Sequence, residues 1–137
     1  MPKVNMNTNL AVSAERLWEM IGGFNALADW HPAIEKSELE QDGTIRRLSL
    51  MGGGSIVEQL EKMDDDGRVY RYSILESPLP VANYTAEIKV RDNEDGTSTV
   101  EWSSEFNPKD ASEVDATKAI QDIYEAGFEN LKKMFGV

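Results

Sequence analysis

The hydrophobic periods of this 137-residue chain predict an α+β fold, a curved antiparallel sheet wrapped around one long C-terminal helix. Three observations carry the prediction. The chain opens on a strand-like stretch and a short helical excursion. Six further strand-like stretches then follow one another, joined by turns too short for parallel crossovers. From Ser112 to Phe135 the period becomes helical.

The elements follow in order. Val4, Met6, Leu10 and Val12 fall on one parity, the mark of a strand with one buried face. Ser13 suits the N-cap of the helix in "AERLWEMIGG", where Leu17, Trp18 and Ile21 share a face and Gly22-Gly23 closes the helix. Trp30-His31-Pro32 ends a second short helix, because proline drives the residue before it toward extended backbone. Six strands come next: "AIEKSELEQ", "TIRRLSLM", "SIVEQLEKM", "RVYRYSILE", "VANYTAEIKVRD" and "TSTVEWSSEF". Hairpin or turn chemistry separates them at Asp42-Gly43, Gly52 to Gly54, Asp64 to Gly67, "SPLP" and "NEDG". In the last helix Val114, Ile120, Ile123, Tyr124, Phe128, Leu131 and Phe135 fall at helical spacings. At about 1.5 Å per residue it spans roughly 35 Å, enough to cross a sheet. Side chains that leave space between sheet and helix would enclose an apolar cavity of roughly 300 to 1,000 Å³.

Composition narrows the function. Twenty-five acidic against fourteen basic residues give a net charge of −11, which argues against nucleic acid or an anionic membrane held by charge. Without cysteine there are no disulfides, thiolate nucleophiles or cysteine-ligated metals, as suits a reducing cytoplasm. No apolar run approaches the roughly 20 residues of a membrane helix. The length predicts one domain over residues 1–137. Gly52 to Ser55 lacks the lysine of a phosphate loop, and Asp64 to Gly67 lacks the spaced ligands of a calcium loop. Neither a metal nor a cofactor is expected.

Strand parity nominates the chemistry. If Leu48 and Leu50 face inward, so does Arg46; if Ile56 and Leu60 do, so does Glu58. The glycine turn joins their strands, so the two charges are expected as neighbours, paired or wetted by a cavity. The same alternation turns in Tyr70, Tyr72 and Ile74, then Tyr84, Ala86, Ile88 and Val90, then Val100, Trp102, Ser104 and Phe106. His31 is the one histidine. Its neighbours favour a packed corner over a general base, and no nucleophile elbow accompanies it.

This order of elements, with "LWEMIGGFNALADWHPAIEKSEL", "GTIRRLSL", "VEQLEKMDDDGRVYRYSILESPLPVANYTAEIKV" and "GTSTVEWSSEF", resembles the SRPBCC or START-like superfamily. Within it the chain is similar to bacterial polyketide cyclase/dehydrase-type proteins, relatives of birch-pollen allergens and plant abscisic-acid receptors. The resemblance covers nearly the whole chain. It implies a helix-grip fold, a seven-stranded sheet around the long helix, and a hydrophobic ligand cavity with Trp30 and His31 at its rim. Some relatives bind lipids, sterols or hormones; others catalyse cyclisation or dehydration.

Two readings follow. The preferred one is an intracellular binding module for a small, largely hydrophobic molecule of lipid, aromatic or polyketide-like type. Its expected contacts are Trp30, His31, Arg46, Glu58, Tyr72, Tyr84, Trp102, Phe106, Tyr124 and Phe128. The alternative is a cyclase or dehydratase working by acid/base chemistry on such a molecule. A packed core acting through a protein partner is a third possibility. Monomer and homodimer are both open.

Overall fold

Alternation of apolar and polar side chains drives one face of every strand inward, and the chain builds its layers from that rule. A computed structural model describes Pro2 to Gly136; the expected domain bounds also include Met1 and Val137, which lie outside the described residues. The strands are β1 (Lys3–Leu10), β2 (Ile34–Glu40), β3 (Ile45–Leu50), β4 (Ser55–Asp64), β5 (Val69–Glu76), β6 (Val81–Asp92) and β7 (Ser98–Pro108). The helices are α1 (Ala14–Ile21), α2 (Leu27–Trp30) and α3 (Glu113–Phe135). Among the described residues the seven strands form one antiparallel sheet in the order β1-β7-β6-β5-β4-β3-β2. The helix-grip architecture expected from the sequence is the one observed.

Local chemistry sets the boundaries. Ser13 caps α1 by accepting from the Arg16 amide, and Ser112 caps α3 by accepting from the Asp115 amide. His31 takes extended backbone at φ −100° and ψ 119°, as its proline neighbour demands, and ends α2. Between β3 and β4, Gly52, Gly53 and Gly54 all hold φ near +90 to +107°, a left-handed run that only glycines adopt without strain. β6 carries a register shift between Ala82 and Thr85, with Asn83 at φ 54°. This irregularity bends the strand where Tyr84 turns inward.

The core lies between the concave face of the sheet and α3. It includes Tyr70, Tyr72, Ile88, Val100, Trp102, Phe106, Ile120, Tyr124 and Leu131, all nearly without solvent exposure. α3 packs against β1, β7 and α2. Two expectations need correction. Val12 is buried, but in the turn after β1, where its carbonyl accepts from Ser98 Oγ at 2.8 Å. Val114, grouped with the helical spacing, is 75 % exposed, because it lies roughly 160° around α3 from Ala116, which is buried in the same first turn. No helix among the described residues is long and apolar enough to cross a membrane.

Candidate functional site

Pairing of β3 with β4 sets Arg46 directly opposite Glu58, with Leu48 opposite Ile56 one step along. Both charges sit in the core, Arg46 at 0 % and Glu58 at 4 % exposure. Arg46 Nε donates to Glu58 Oε1 at 2.7 Å. Nη2 lies 2.7 Å from the same oxygen but is not aligned to donate to it. Nη1 donates to the Phe24 carbonyl at 2.7 Å and to the Tyr70 hydroxyl at 3.3 Å. The guanidinium also lies 4.3 Å from the ring centre of Phe24 and 4.9 Å from that of Tyr72, stacked contacts that suit its weakly hydrated plane.

The charges are therefore satisfied unequally. Burial opposes the charge of Arg46, but Tyr70, Glu58 and Tyr72 outweigh it and raise the pKa. Burial lifts the Glu58 carboxyl above its ordinary range, with Arg46 pulling the other way. Both Arg46 contacts with the carboxylate fall on Oε1; Oε2 makes no hydrogen bond among the described residues. The sealed, unpartnered side-chain atoms are Trp30 Nε1, Arg46 Nη2 and Ser104 Oγ, and Glu58 Oε2 is not among them. It keeps access to the interior space that Glu58 lines.

A tyrosine chain borders the same space through Tyr72 and Tyr84. Trp102 Nε1 donates to the Tyr72 hydroxyl at 3.0 Å, Tyr72 shares a hydrogen bond with Tyr84 at 3.2 Å, and Tyr84 shares one with Tyr124. Burial pushes the hydroxyls of Tyr72, Tyr84 and Tyr124 above their ordinary range, so they stay neutral. The Trp102 ring stacks on Tyr124 at 4.1 Å and 16°.

His31 is a staple between segments. Its Nδ1 accepts from the Ala33 amide at 3.1 Å, and Nε2 lies 2.7 Å from the Ile123 carbonyl, so the ring is neutral with its proton on Nε2. Burial lowers its pKa, against the Ile123 bond that raises it. With both nitrogens occupied, the ring holds the α2–β2 corner against α3.

Between these groups lies a cavity lined by Leu27, His31, Ile34, Leu48, Ile56, Glu58, Tyr72, Ile74, Leu79, Tyr84, Trp102, Ile120 and Ile123. Its volume is about 30 Å³, room for a water or two and far below the hundreds of Å³ anticipated for a small-molecule site. The Trp102–Tyr124 stack and the tyrosine chain occupy the rest. Of the residues expected at the site, His31, Glu58, Tyr72, Tyr84 and Trp102 line the cavity. Arg46 stands behind Glu58; Phe106, Tyr124 and Phe128 form the surrounding core. Trp30 is at no rim: it is 1 % exposed and packs on His31 and Trp102. Reasoning from sequence passed over Phe24, Leu79 and Ile34; Leu79, an apolar residue between two prolines in a turn, was the available signal.

Other concavities are less suited to an apolar molecule. One of about 260 Å³ on the outer face of the sheet lies among Lys3, Arg71, Glu87 and Glu105, which pair with one another. Among the described residues no three His, Asp or Glu side chains converge as a metal site.

A seven-stranded sheet gripping a terminal helix around a small polar-ended cavity defines a helix-grip protein, and comparison agrees. Residues 1–136 match the family described as polyketide cyclase / dehydrase and lipid transport, and the chain belongs to it. It is similar to the protein XoxI from Bacillus cereus, at 39 % identity over 98 % of this chain and 96 % of that one, with a TM-score of 0.96. A START superfamily protein from Mycobacterium smegmatis shares the fold at TM-score 0.80, with 13 % identity over 97 % of this chain and 96 % of that one. The Zhui aromatase/cyclase from Streptomyces sp. R1128 shares it at TM-score 0.75, with 18 % identity over 94 % and 87 %. No curated protein matches the chain.

Proposed function

We propose that this protein binds a small, largely apolar molecule between the sheet and α3, in a space that widens from the cavity seen here. The observation that supports the reading most is the character of that cavity: mostly apolar walls, with the Glu58 carboxylate and the two tyrosines Tyr72 and Tyr84 among its lining. A space reserved for packing alone gains nothing from a buried ion pair, which rarely outperforms apolar side chains of equal volume. Leu79, Ile74 and Ile123 are only half-buried, so the cavity approaches the surface there and admits a molecule by their displacement. The family's lipid transport members fit the same reading. The absence of cysteine suits a cytoplasmic setting.

Acid/base turnover of a polyketide-like or aromatic substrate is the second reading, and Glu58 is the group that favours it. Its carboxyl is raised above the ordinary range and faces the cavity, as a proton donor needs. His31 offers no free nitrogen for that role. Binding is preferred because it requires only the space and its polar end.

Toluene is a suitable first probe, being apolar and compact. Urea denaturation at ten times its dissociation constant is expected to show a gain of about 1.4 kcal/mol. An unchanged midpoint with toluene and with larger arenes contradicts the reading.

A further inference from the structure

We infer that the cavity selects neutral molecules bearing a hydroxyl or N–H donor and rejects carboxylates, with Glu58 Oε2 as the selecting acceptor; this rests on the binding reading above. The donors and acceptors around this one space are nearly all committed to partners within the protein. Arg46 is not among the residues that line the cavity: its Nε donates to Oε1, Nη1 to Phe24 and Tyr70, and Nη2 is sealed beside Oε1 without a hydrogen bond. The His31 Nε2 proton goes to the Ile123 carbonyl, and the Trp102 indole proton goes to Tyr72. The three hydroxyls of Tyr72, Tyr84 and Tyr124 share two hydrogen bonds, which leaves one O–H at an end of that neutral chain. Among the lining residues the charged group left without a hydrogen bond is a carboxylate oxygen, Glu58 Oε2, on a residue 96 % removed from solvent; the sealed, unpartnered atoms of Trp30, Arg46 and Ser104 belong to residues that do not line the space.

Two consequences follow from charge and desolvation. Arg46 and Glu58 already cancel, so a bound carboxylate would stand as an uncompensated second anion in a low-dielectric interior beside the first. A ligand donor would supply the hydrogen bond that Oε2 lacks, and bonds to a charged acceptor are the strong ones. An aliphatic or aromatic body with one hydroxyl therefore fits the walls and the polar end together.

The test compares phenol, toluene and benzoate, three probes of one ring size, titrated by NMR against the full chain at pH 7.5. The wild type should bind phenol at least as tightly as toluene, despite the greater hydration of phenol, and benzoate at least a hundredfold more weakly. In Arg46→Met/Glu58→Leu, which removes both charges and strands neither, the preference for phenol over toluene should fall roughly ten- to a hundredfold. Benzoate binding as tightly as phenol, or a preference unaltered in the double variant, overturns the inference while toluene binding keeps the broader reading standing. If none of the three binds, both fall together. The wild-type comparison decides the matter even where the double variant does not fold.

Discussion

Arg46 and Glu58 meet because two facts coincide at single residues: each shares the parity of its aliphatic neighbours, and the glycine turn sets the register that places them opposite. Removing one partner of so deeply buried a pair strands the other. Arg46→Met and Glu58→Leu should each cost about 3 to 5 kcal/mol in denaturant unfolding, and the double variant much less than their sum. Additive, near-neutral effects would place both charges in water. This pair was legible in the sequence, since parity and a short hairpin are local properties. The role of His31 was only half legible: Pro32 foretold the corner, but its partner carbonyl at Ile123 lies 92 positions away and belongs to another element. Likewise the parity of Tyr72 and Tyr84 could be read, whereas their hydroxyl chain to Tyr124 depends on side-chain directions across three elements.

α3 shows what periodicity reveals about an element and where it stops. The helical spacing of Ile120, Tyr124, Phe128 and Leu131 identified the buried face, and all four are buried. The spacing expected from sequence also includes Val114, but six residues before Ile120 it lies roughly 120° off the buried face, which enters the first turn at Ala116 instead. Gly127 carries the complementary lesson. Within an exposed helix, alanine would be better than glycine by about 1 kcal/mol. Here a methyl would sit 2.9 Å from the Trp30 ring, 3.0 Å from His31 and 3.3 Å from Trp102, all of them buried. The glycine leaves room for the corner's Trp30 and His31 rings against α3. Gly127→Ala should therefore destabilise by about 1 to 3 kcal/mol, reversing the usual sign. A thermal midpoint equal to or above that of the wild type would show that the corner yields freely.

At the scale of the whole molecule, the order of strands and helices and the grip of the sheet on α3 followed from period, turn chemistry and a resemblance spanning the chain. Cavity volume did not, because it is the small difference between the space a backbone encloses and the volume that its aromatic side chains fill. Here Trp102, stacked on Tyr124 at 4.1 Å, is one of the aromatic side chains that line what is left. The central claim is that this same space, about 30 Å³ as seen, is where an apolar molecule is received. The most direct measurement is an isotope-filtered NOE experiment on the labelled protein with toluene. The account predicts cross-peaks from the toluene protons to the methyl groups of Ile56, Leu79, Ile120 and Ile123, which face one another across the cavity. Cross-peaks confined to exposed side chains such as Leu75 or Val114, with none to those four, would contradict it.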